Sequence, residues 1–439
     1  MPEVTLFAVA GNPVLHSLGP EIFTRLFRAM GMDAAYVRLA AASGREVLTV
    51  AADMGLSAAN VTSPFKEAVL PYLEEVDEPG RSVGAVNGII TRGGGFVGFN
   101  TDPAGVIGAL RGAGVRPAGL DAVVMGAGGA ARAAAYGLMN AGAARTTLIN
   151  RTVARARTAA KRLGCGFRST DESRFLLRDC DLCVSCLPPG ADDGAPAMMK
   201  RGATFLAAAY RRSNPPLRSG PEGPSMIDGR EWLLHQAFPA FRLMTGRSVP
   251  RSLRERSAWR ALDRPIRPKA NIALVGFSGV GKTTVGRRLA GSLGFDFFDT
   301  DAAVERRTGT SIMEIFRKRG EPGFRELERT VIHDTVAGAS RTVFAVGGGG
   351  LGRPDNRAVL RKSCLVVWLW APLRACLERV APGSRPLLDG GRIRSAEWLF
   401  AARKPVYARS AELAVACEGK TVEGIAERIR NEIDRAFPD

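Results

Sequence analysis

The segment Gly276-Phe277-Ser278-Gly279-Val280-Gly281-Lys282-Thr283 fits the pattern G-x-x-x-x-G-K-[ST]. It lies between an apolar run, NIALV, and a helix-like stretch, TTVGRRLAGSLG. A strand, a glycine turn and a helix in that order commit this part of the chain to an α/β unit with a largely parallel sheet. The glycines let successive backbone N–H groups face phosphate oxygens, and the helix N-terminus adds a potential that favours an anion. Lys282 then reaches the β- and γ-phosphates of ATP, and the Thr283 hydroxyl can ligate Mg2+. Gly279, Val280, Gly281 and Thr284 complete the expected cradle.

A second glycine turn, Gly126-Ala127-Gly128-Gly129-Ala130-Ala131-Arg132, follows the apolar run DAVVM and opens another helical stretch. Alone, G-x-G-x-x-A is a weak pattern. Strand, turn, helix and a next strand ending at Asn150-Arg151-Thr152 give it the context of a dinucleotide fold. An acidic residue at that strand end would suit the ribose hydroxyls of NAD; Arg151, with Arg155 close behind, suits a 2′-phosphate, so NADP is expected. Upstream, Lys66 follows a strand end in NVTSPFKE, and Asn100-Thr101-Asp102 offers a carboxylate. A Lys–Asp pair can pass a proton to a carbonyl oxygen as hydride reaches the carbon. A structural salt bridge is the alternative at that point.

At 439 residues the chain has room for about three domains. With 46% apolar and 24% charged residues it reads as globular rather than disordered or coiled-coil. No run of about 18 apolar residues is present to cross a membrane. The N-terminus, MPEVTLFAVAGNPVLHS, reads as the start of a strand and not as a signal peptide. The formal net charge is +18. Arginine far outnumbers lysine, no long basic block stands out and aromatics are 7%, so a nucleic-acid partner is disfavoured and small anionic substrates are the expected beneficiaries. Three of the seven cysteines, Cys180, Cys183 and Cys186, lie in DLCVSCLPP. That stretch reads as one buried strand ending at Pro188, with Cys180 and Cys186 on one face, in a reducing cytoplasm.

Along the chain, a first α/β unit is expected over about 1–103 and a dinucleotide-binding unit over 104–229. Helices over 230–262 complete the first unit. A proline-bearing linker spans 263–270, and a P-loop unit spans 271–439. The two carboxylates of Phe298-Asp299-Thr300-Asp301 are placed on one face of an extended segment, one for metal-bound water and one for a substrate hydroxyl. Downstream come Gly320-Glu321-Pro322-Gly323-Phe324-Arg325 with Glu328, four glycines at 347–350, Arg385-Pro386-Leu387-Leu388 in a lid-like segment, and Arg403-Lys404-Pro405-Val406-Tyr407.

Taken in order, the motifs of 271–435 resemble shikimate kinase. The resemblance implies Thr283 and Asp299 at Mg2+ and Asp301 on the 3-hydroxyl as orienter or base, with Lys282 at the phosphates. It implies Arg325, Gly347, Gly348, Gly349 and Arg403 on shikimate, and Arg385 as a lid arginine over ATP. One departure is Lys404, where asparagine is usual.

GNPVLHS, NVTSPFKE, GAVN, NTD, GAGGAAR, NRTVARA and HQAF, in that order over about 4–262, resemble shikimate dehydrogenase. This implies Lys66 and Asp102 as the catalytic pair. It implies Ser17, Asn60, Thr62, Asn87, Tyr210 and Gln236 on the substrate. The cofactor NADP(H) would be held by Gly126, Ala127, Gly128, Gly129, Ala130, Arg132, Asn150, Arg151, Thr152 and Arg155, with Glu78 and Gly229. Departures fall at Gly19, Gly88, Ser185, Leu187, Ala207, Glu231 and Trp232. The resemblance as a whole implies a two-domain dehydrogenase half followed by a P-loop kinase, with 3-dehydroshikimate and shikimate as substrates. The cluster Gly19, Leu187 and Glu231 leaves a second reading open, in which the first half only binds ligand.

Overall fold

The computed structural model describes residues 4–188, 190–191, 194–210, 223–263, 268–380, 387 and 393–437. Its first strands are β1 (Thr5–Gly11), β2 (Ala34–Ala40), β3 (Leu56–Val61), β4 (Glu75–Val76), β5 (Gly88–Arg92) and β6 (Gly95–Phe99). Next are β7 (Asp121–Met125), β8 (Arg145–Asn150), β9 (Gly166–Ser169), β10 (Leu182–Ser185), β11 (Thr204–Ala207) and β12 (Ser225–Ile227). The last group is β13 (Asn271–Val275), β14 (Asp296–Asp299), β15 (Thr342–Ala345), β16 (Cys364–Trp370) and β17 (Leu413–Ala416).

The expected α/β architecture is present. The strands β7 to β12 form a parallel sheet in the order β12-β11-β10-β7-β8-β9, the doubly wound arrangement in which the glycine turn after β7 sits where the strand order reverses. The P-loop strands run β14-β15-β13-β16-β17, and the loop after β13 again leaves at the reversal point. The inner strands β10, β11, β13, β15, β16 and β17 are buried on both faces, as a sheet sandwiched by helices requires.

The three expected units rest on only two sheets. Strand β17 pairs in parallel with β2, Ala414 opposite Leu39 and Val415 opposite Ala40. One sheet of eleven strands therefore runs from the P-loop unit through the first unit. The join removes two free strand edges, which are otherwise a liability. Its two faces carry two cores that each cross the seam: Phe7, Leu274 and Val415 belong to one, and Leu39, Trp368 and Ala414 to the other. Polar contacts reinforce it, among them Lys404 to the Met54 carbonyl at 3.2 Å, Lys420 to Glu46 at 3.2 Å and an Arg409–Asp33 ion pair.

Local expectations need three corrections. The strand at 182–185 is shorter than DLCVSCLPP, so Cys180 caps the preceding helix and Cys186 lies past the strand end. The stretch after Gly246 forms 3-10 turns, Arg251–Leu253 and Arg256–Asp263, in place of a regular helix. Asp299 ends β14 but Asp301 sits in the first turn of the helix Thr300–Thr308, because the Asp299 side chain caps that helix. Lys66 lies on a short helix, Phe65–Ala68, just past β3. Linker residues 264–267 and Arg385 lie outside the described residues. Among the described residues no helix is long and apolar enough to cross a membrane, and no cluster of three or more His, Cys, Asp or Glu side chains could hold a metal ion.

Candidate active sites

A cavity of about 870 Å³ lies between the first sheet and the doubly wound sheet. Its substrate end is built from strand termini. The loop after β1 brings Ser17, the end of β3 brings Asn60 and Thr62, and the helix Asp102–Gly112 opens with Asp102. Lys66 forms an ion pair with Asp102, which is buried, while Lys66 keeps 19% side-chain exposure toward the cavity. The Asn87 amide nitrogen lies 2.9 Å from Asp102 Oδ1, Thr101 Oγ1 and Gln236 Oε1, and its Oδ1 accepts the Thr101 N–H. This network fixes the carboxylate and leaves the ammonium facing the open space. Tyr36 donates its hydroxyl hydrogen to Asn60 Oδ1 at 2.6 Å, and burial pushes its phenol well above the ordinary value, so it remains a donor. The Tyr210 hydroxyl accepts the Leu18 N–H at 3.2 Å.

Gly128, Gly129, Ala130, Arg155 and Gly229 line the other end of the same cavity. Backbone amides at the start of the helix Gly129–Asn140 and the Arg155 cation there fit a dinucleotide carrying a 2′-phosphate. Gly126 and Ala127 form the turn itself, and Asn150 donates to the Thr152 carbonyl at 3.0 Å. Arg151 and Thr152 are exposed at the end of β8, off the cavity wall. Glu78 and Arg132 also stand off the cavity wall. Glu78 accepts from Tyr136 at 2.6 Å and Ser82 at 2.7 Å, hydrogen bonds that hold its carboxyl below the usual range. The Arg132 guanidinium donates to the carbonyls of Val83, Gly84 and Ala127 and pairs with Glu67, tying the glycine turn to the first unit.

Two departures have structural reasons. The Phe99 ring occupies the space a Cβ on residue 88 would need, hence Gly88. Trp232 donates its indole N–H to the Asp102 carbonyl at 3.1 Å, adding to the support of the pair. Glu231 and Leu187 are not part of the cavity wall, and Ser185 is fully buried at the end of β10.

The second site surrounds the P-loop. Gly279 has φ +82, and a Cβ there would strike the Cys376 carbonyl, so only glycine fits the turn. Lys282 lies across the loop, donating to the carbonyls of Gly276 at 3.0 Å and Phe277 at 3.1 Å. Thr283 donates to Asp299 Oδ2, and Asp299 Oδ1 accepts the backbone N–H of Asp301 and Ala302. A cavity of about 320 Å³ is walled by this loop together with Thr284, Asp299 and Asp301. A smaller one of about 50 Å³ is walled by Arg325, Glu328, Gly349 and Arg403. Ser278, Asp301 and Gly348 belong to both walls, so Asp301 stands where a phosphate-bearing ligand would meet a second ligand. The oxygen pair Thr283–Asp299 beside the phosphate cradle fits Mg2+, a hard cation that takes oxygen ligands.

Arg325 pairs with Glu328 at 2.7 Å and Glu321 at 3.1 Å. Burial pushes the Glu328 carboxyl above its ordinary value, with Arg325 pulling the other way. Burial also pulls the Arg403 guanidinium below its usual value. Such a desolvated cation favours an anionic ligand. A side chain on residue 349 would collide with the Arg325 guanidinium, and one on residue 347 with Asp301 and Glu328; the glycines make room for these groups. Buried Tyr407, its phenol pushed up to about 12 by burial, donates to the Gly348 carbonyl.

Sequence reasoning assigned no role to Tyr36, Glu328 or Arg379. Arg379 lines the phosphate cavity from the turn after the helix Leu373–Leu377. No spacing marks it, because it reaches the P-loop only through the sheet order.

Comparison with known proteins places both halves. A model of the shikimate dehydrogenase substrate-binding domain matches residues 9–89, and a shikimate kinase model matches residues 278–434. A shikimate dehydrogenase (NADP+) of Symbiobacterium thermophilum is 35% identical over 59% of this chain and 95% of its own length. A shikimate kinase of Moorella thermoacetica is 42% identical over 36% of this chain and 92% of its own length. A crystal structure of a Thermus thermophilus shikimate 5-dehydrogenase, in complex with NADP(H) and shikimate, is 30% identical with a TM-score of 0.51, covering 59% of this chain and all of that one.

Proposed function

The chain belongs to the shikimate dehydrogenase family over its first part and to the shikimate kinase family over its last, and on that premise we propose how its residues divide the work. It is a bifunctional enzyme of the shikimate pathway. It reduces 3-dehydroshikimate to shikimate with NADPH and phosphorylates shikimate to shikimate 3-phosphate with ATP and Mg2+. The observation that carries the residue assignments is the Lys66–Asp102 pair, held by Asn87 and Trp232 on the wall of a cavity that runs on to the glycine turn.

Bound in the first site, NADPH would supply a hydride to the substrate's 3-carbonyl carbon. Lys66 gives a proton to the carbonyl oxygen, and Asp102 keeps the ammonium aimed. Ser17, Asn60, Thr62, Tyr210 and Gln236 orient the ring, and Arg151 and Arg155 receive the 2′-phosphate. In the second site ATP with Mg2+ supplies the phosphoryl group. Asp301 orients the 3-hydroxyl and accepts its proton. Arg325 and Arg403 clamp the carboxylate, for which a planar guanidinium is suited. Lys282 and the loop amides hold the phosphates, Thr283 and Asp299 hold the metal, and Arg385 acts as a lid over the nucleotide. This division of labour needs positioning and cations, as phosphoryl transfer does in general. Both substrates are small anions, which accounts for the positive field without a nucleic-acid partner. All seven cysteines are carried as thiols, which suits the cytoplasm.

A coupled assay tests the reading. Purified protein given 3-dehydroshikimate, NADPH and ATP should oxidise NADPH and accumulate shikimate 3-phosphate. Phosphorylation of added shikimate without any NADPH oxidation would reduce the first half to a ligand-binding module.

A further inference from the structure

The last helix of the kinase part, Val422–Ala436, ends against the dehydrogenase cavity. Glu432 on this helix is 1% exposed, and its Oε2 accepts the backbone N–H of both Val14 and Leu15 at 2.7 Å. Those residues belong to the loop that carries Ser17. A buried carboxylate bridging two successive amides holds a loop through charge-assisted hydrogen bonds, the stronger kind. The far end of the loop is held from the seam as well. Arg38, 3% exposed on β2, donates to the Ser17 carbonyl at 2.8 Å and 2.6 Å and to the Glu412 carbonyl of the kinase part at 3.3 Å.

Just past Glu432, Asp434, Arg435 and Ala436 join the cavity wall along with His16 and Ser17. Asp434 is paired with Arg430 at 3.5 Å. The wall carries three Lys or Arg side chains among the described residues. Lys66 is engaged by Asp102, Arg155 stands at the glycine-turn end, and Arg435 stands beside the loop that its own helix grips. A carboxylate that leaves water for this cavity needs a compensating cation or donors. Gly19, next to Ser17, has no side chain to offer one.

We propose that this helix is a working part of the dehydrogenase site: Glu432 is a positioning residue for the Ser17 loop, and Arg435 receives the carboxylate of 3-dehydroshikimate. The proposal rests on the dehydrogenase reading above. It makes the kinase part a structural component of its neighbour's substrate pocket.

Steady-state kinetics of both reactions on the full chain, with calorimetric binding of 3-dehydroshikimate, test it. Arg435→Ala should raise the dehydrogenase KM for 3-dehydroshikimate about tenfold, as loss of one charge-assisted contact does. The kcat, the KM for NADPH and the kinase reaction should hold steady, and Arg435→Lys should restore most of the affinity. Glu432→Ala should raise the same KM, while Glu432→Gln, which keeps an acceptor oxygen, should recover part of it. Unchanged KM and binding in both alanine variants would overturn the proposal, and so would a parallel loss in the kinase reaction, which would mark a fold-wide effect. The binding measurement reads the pocket whether or not turnover occurs. A wild type that binds 3-dehydroshikimate through Arg435 but leaves NADPH unoxidised would sink the catalytic reading and keep this one.

Discussion

The Thr283 hydroxyl donates to the Asp299 carboxylate at 2.7 Å, joining the first turn of the P-loop helix to the cap of the helix that carries Asp301. The residues proposed to hold the metal and the proposed base are thereby set by one short arc of chain. Chelating Mg2+ should stop phosphorylation and leave NADPH oxidation untouched. Asp299→Ala should raise the Mg2+ concentration needed for half-maximal phosphorylation by about 10–100-fold, the usual cost of losing a residue that holds a metal's outer shell. A magnesium titration of both activities checks this.

Lys66 and Asp301 separate the two chemistries. Lys66→Ala should lower NADPH-dependent reduction by about 10²–10⁴-fold, the range for a lost general acid, with phosphorylation intact. Asp301→Ala should do the reverse. Equal damage to both reactions in a folded protein would show that the assignments are misplaced.

The proposal assigns nucleotide choice to Arg151 and Arg155. Replacing both with alanine should raise the KM for NADPH about tenfold or more through lost charge-assisted contacts, with the KM for NADH little changed. Parallel initial-rate measurements with the two cofactors decide it.

The β2–β17 pairing makes the first unit and the P-loop unit one body, whereas the doubly wound sheet is separate. Calorimetry of the full chain should show the two joined units melting in a single transition. Shikimate together with ATP analogue, bound in the kinase site, should raise the temperature of that transition, as any ligand of the native state does. Independent melting of the kinase part would contradict the shared sheet.

Both phosphate cradles were legible because each is a local pattern: an apolar strand, glycines at fixed offsets and a helix. Lys66 and Asp102 stand out in the sequence as the proposed catalytic pair, but their contact cannot be read from position. It depends on β5, which pairs with both β3 and β6 and sets Asn60 and Phe99 opposite the same residue, Gly88. Strand alternation puts Asp301 on the same extended face as Asp299, but Asp299 caps the next helix and draws Asp301 into its first turn. Glu78 and Arg132 carried the family pattern, yet their side chains are engaged elsewhere by Tyr136 and by backbone carbonyls.

Two α/β nucleotide folds, their order and most of the groups proposed for each site are written in the residues, since they follow from periodicity and short motifs within a few tens of residues. That the kinase and the first unit share one sheet, and that Glu432 grips Leu15 across 417 positions, emerges from the folded chain alone. Strand edges pair through backbone groups that every residue carries, so no side-chain pattern announces which edge will meet which.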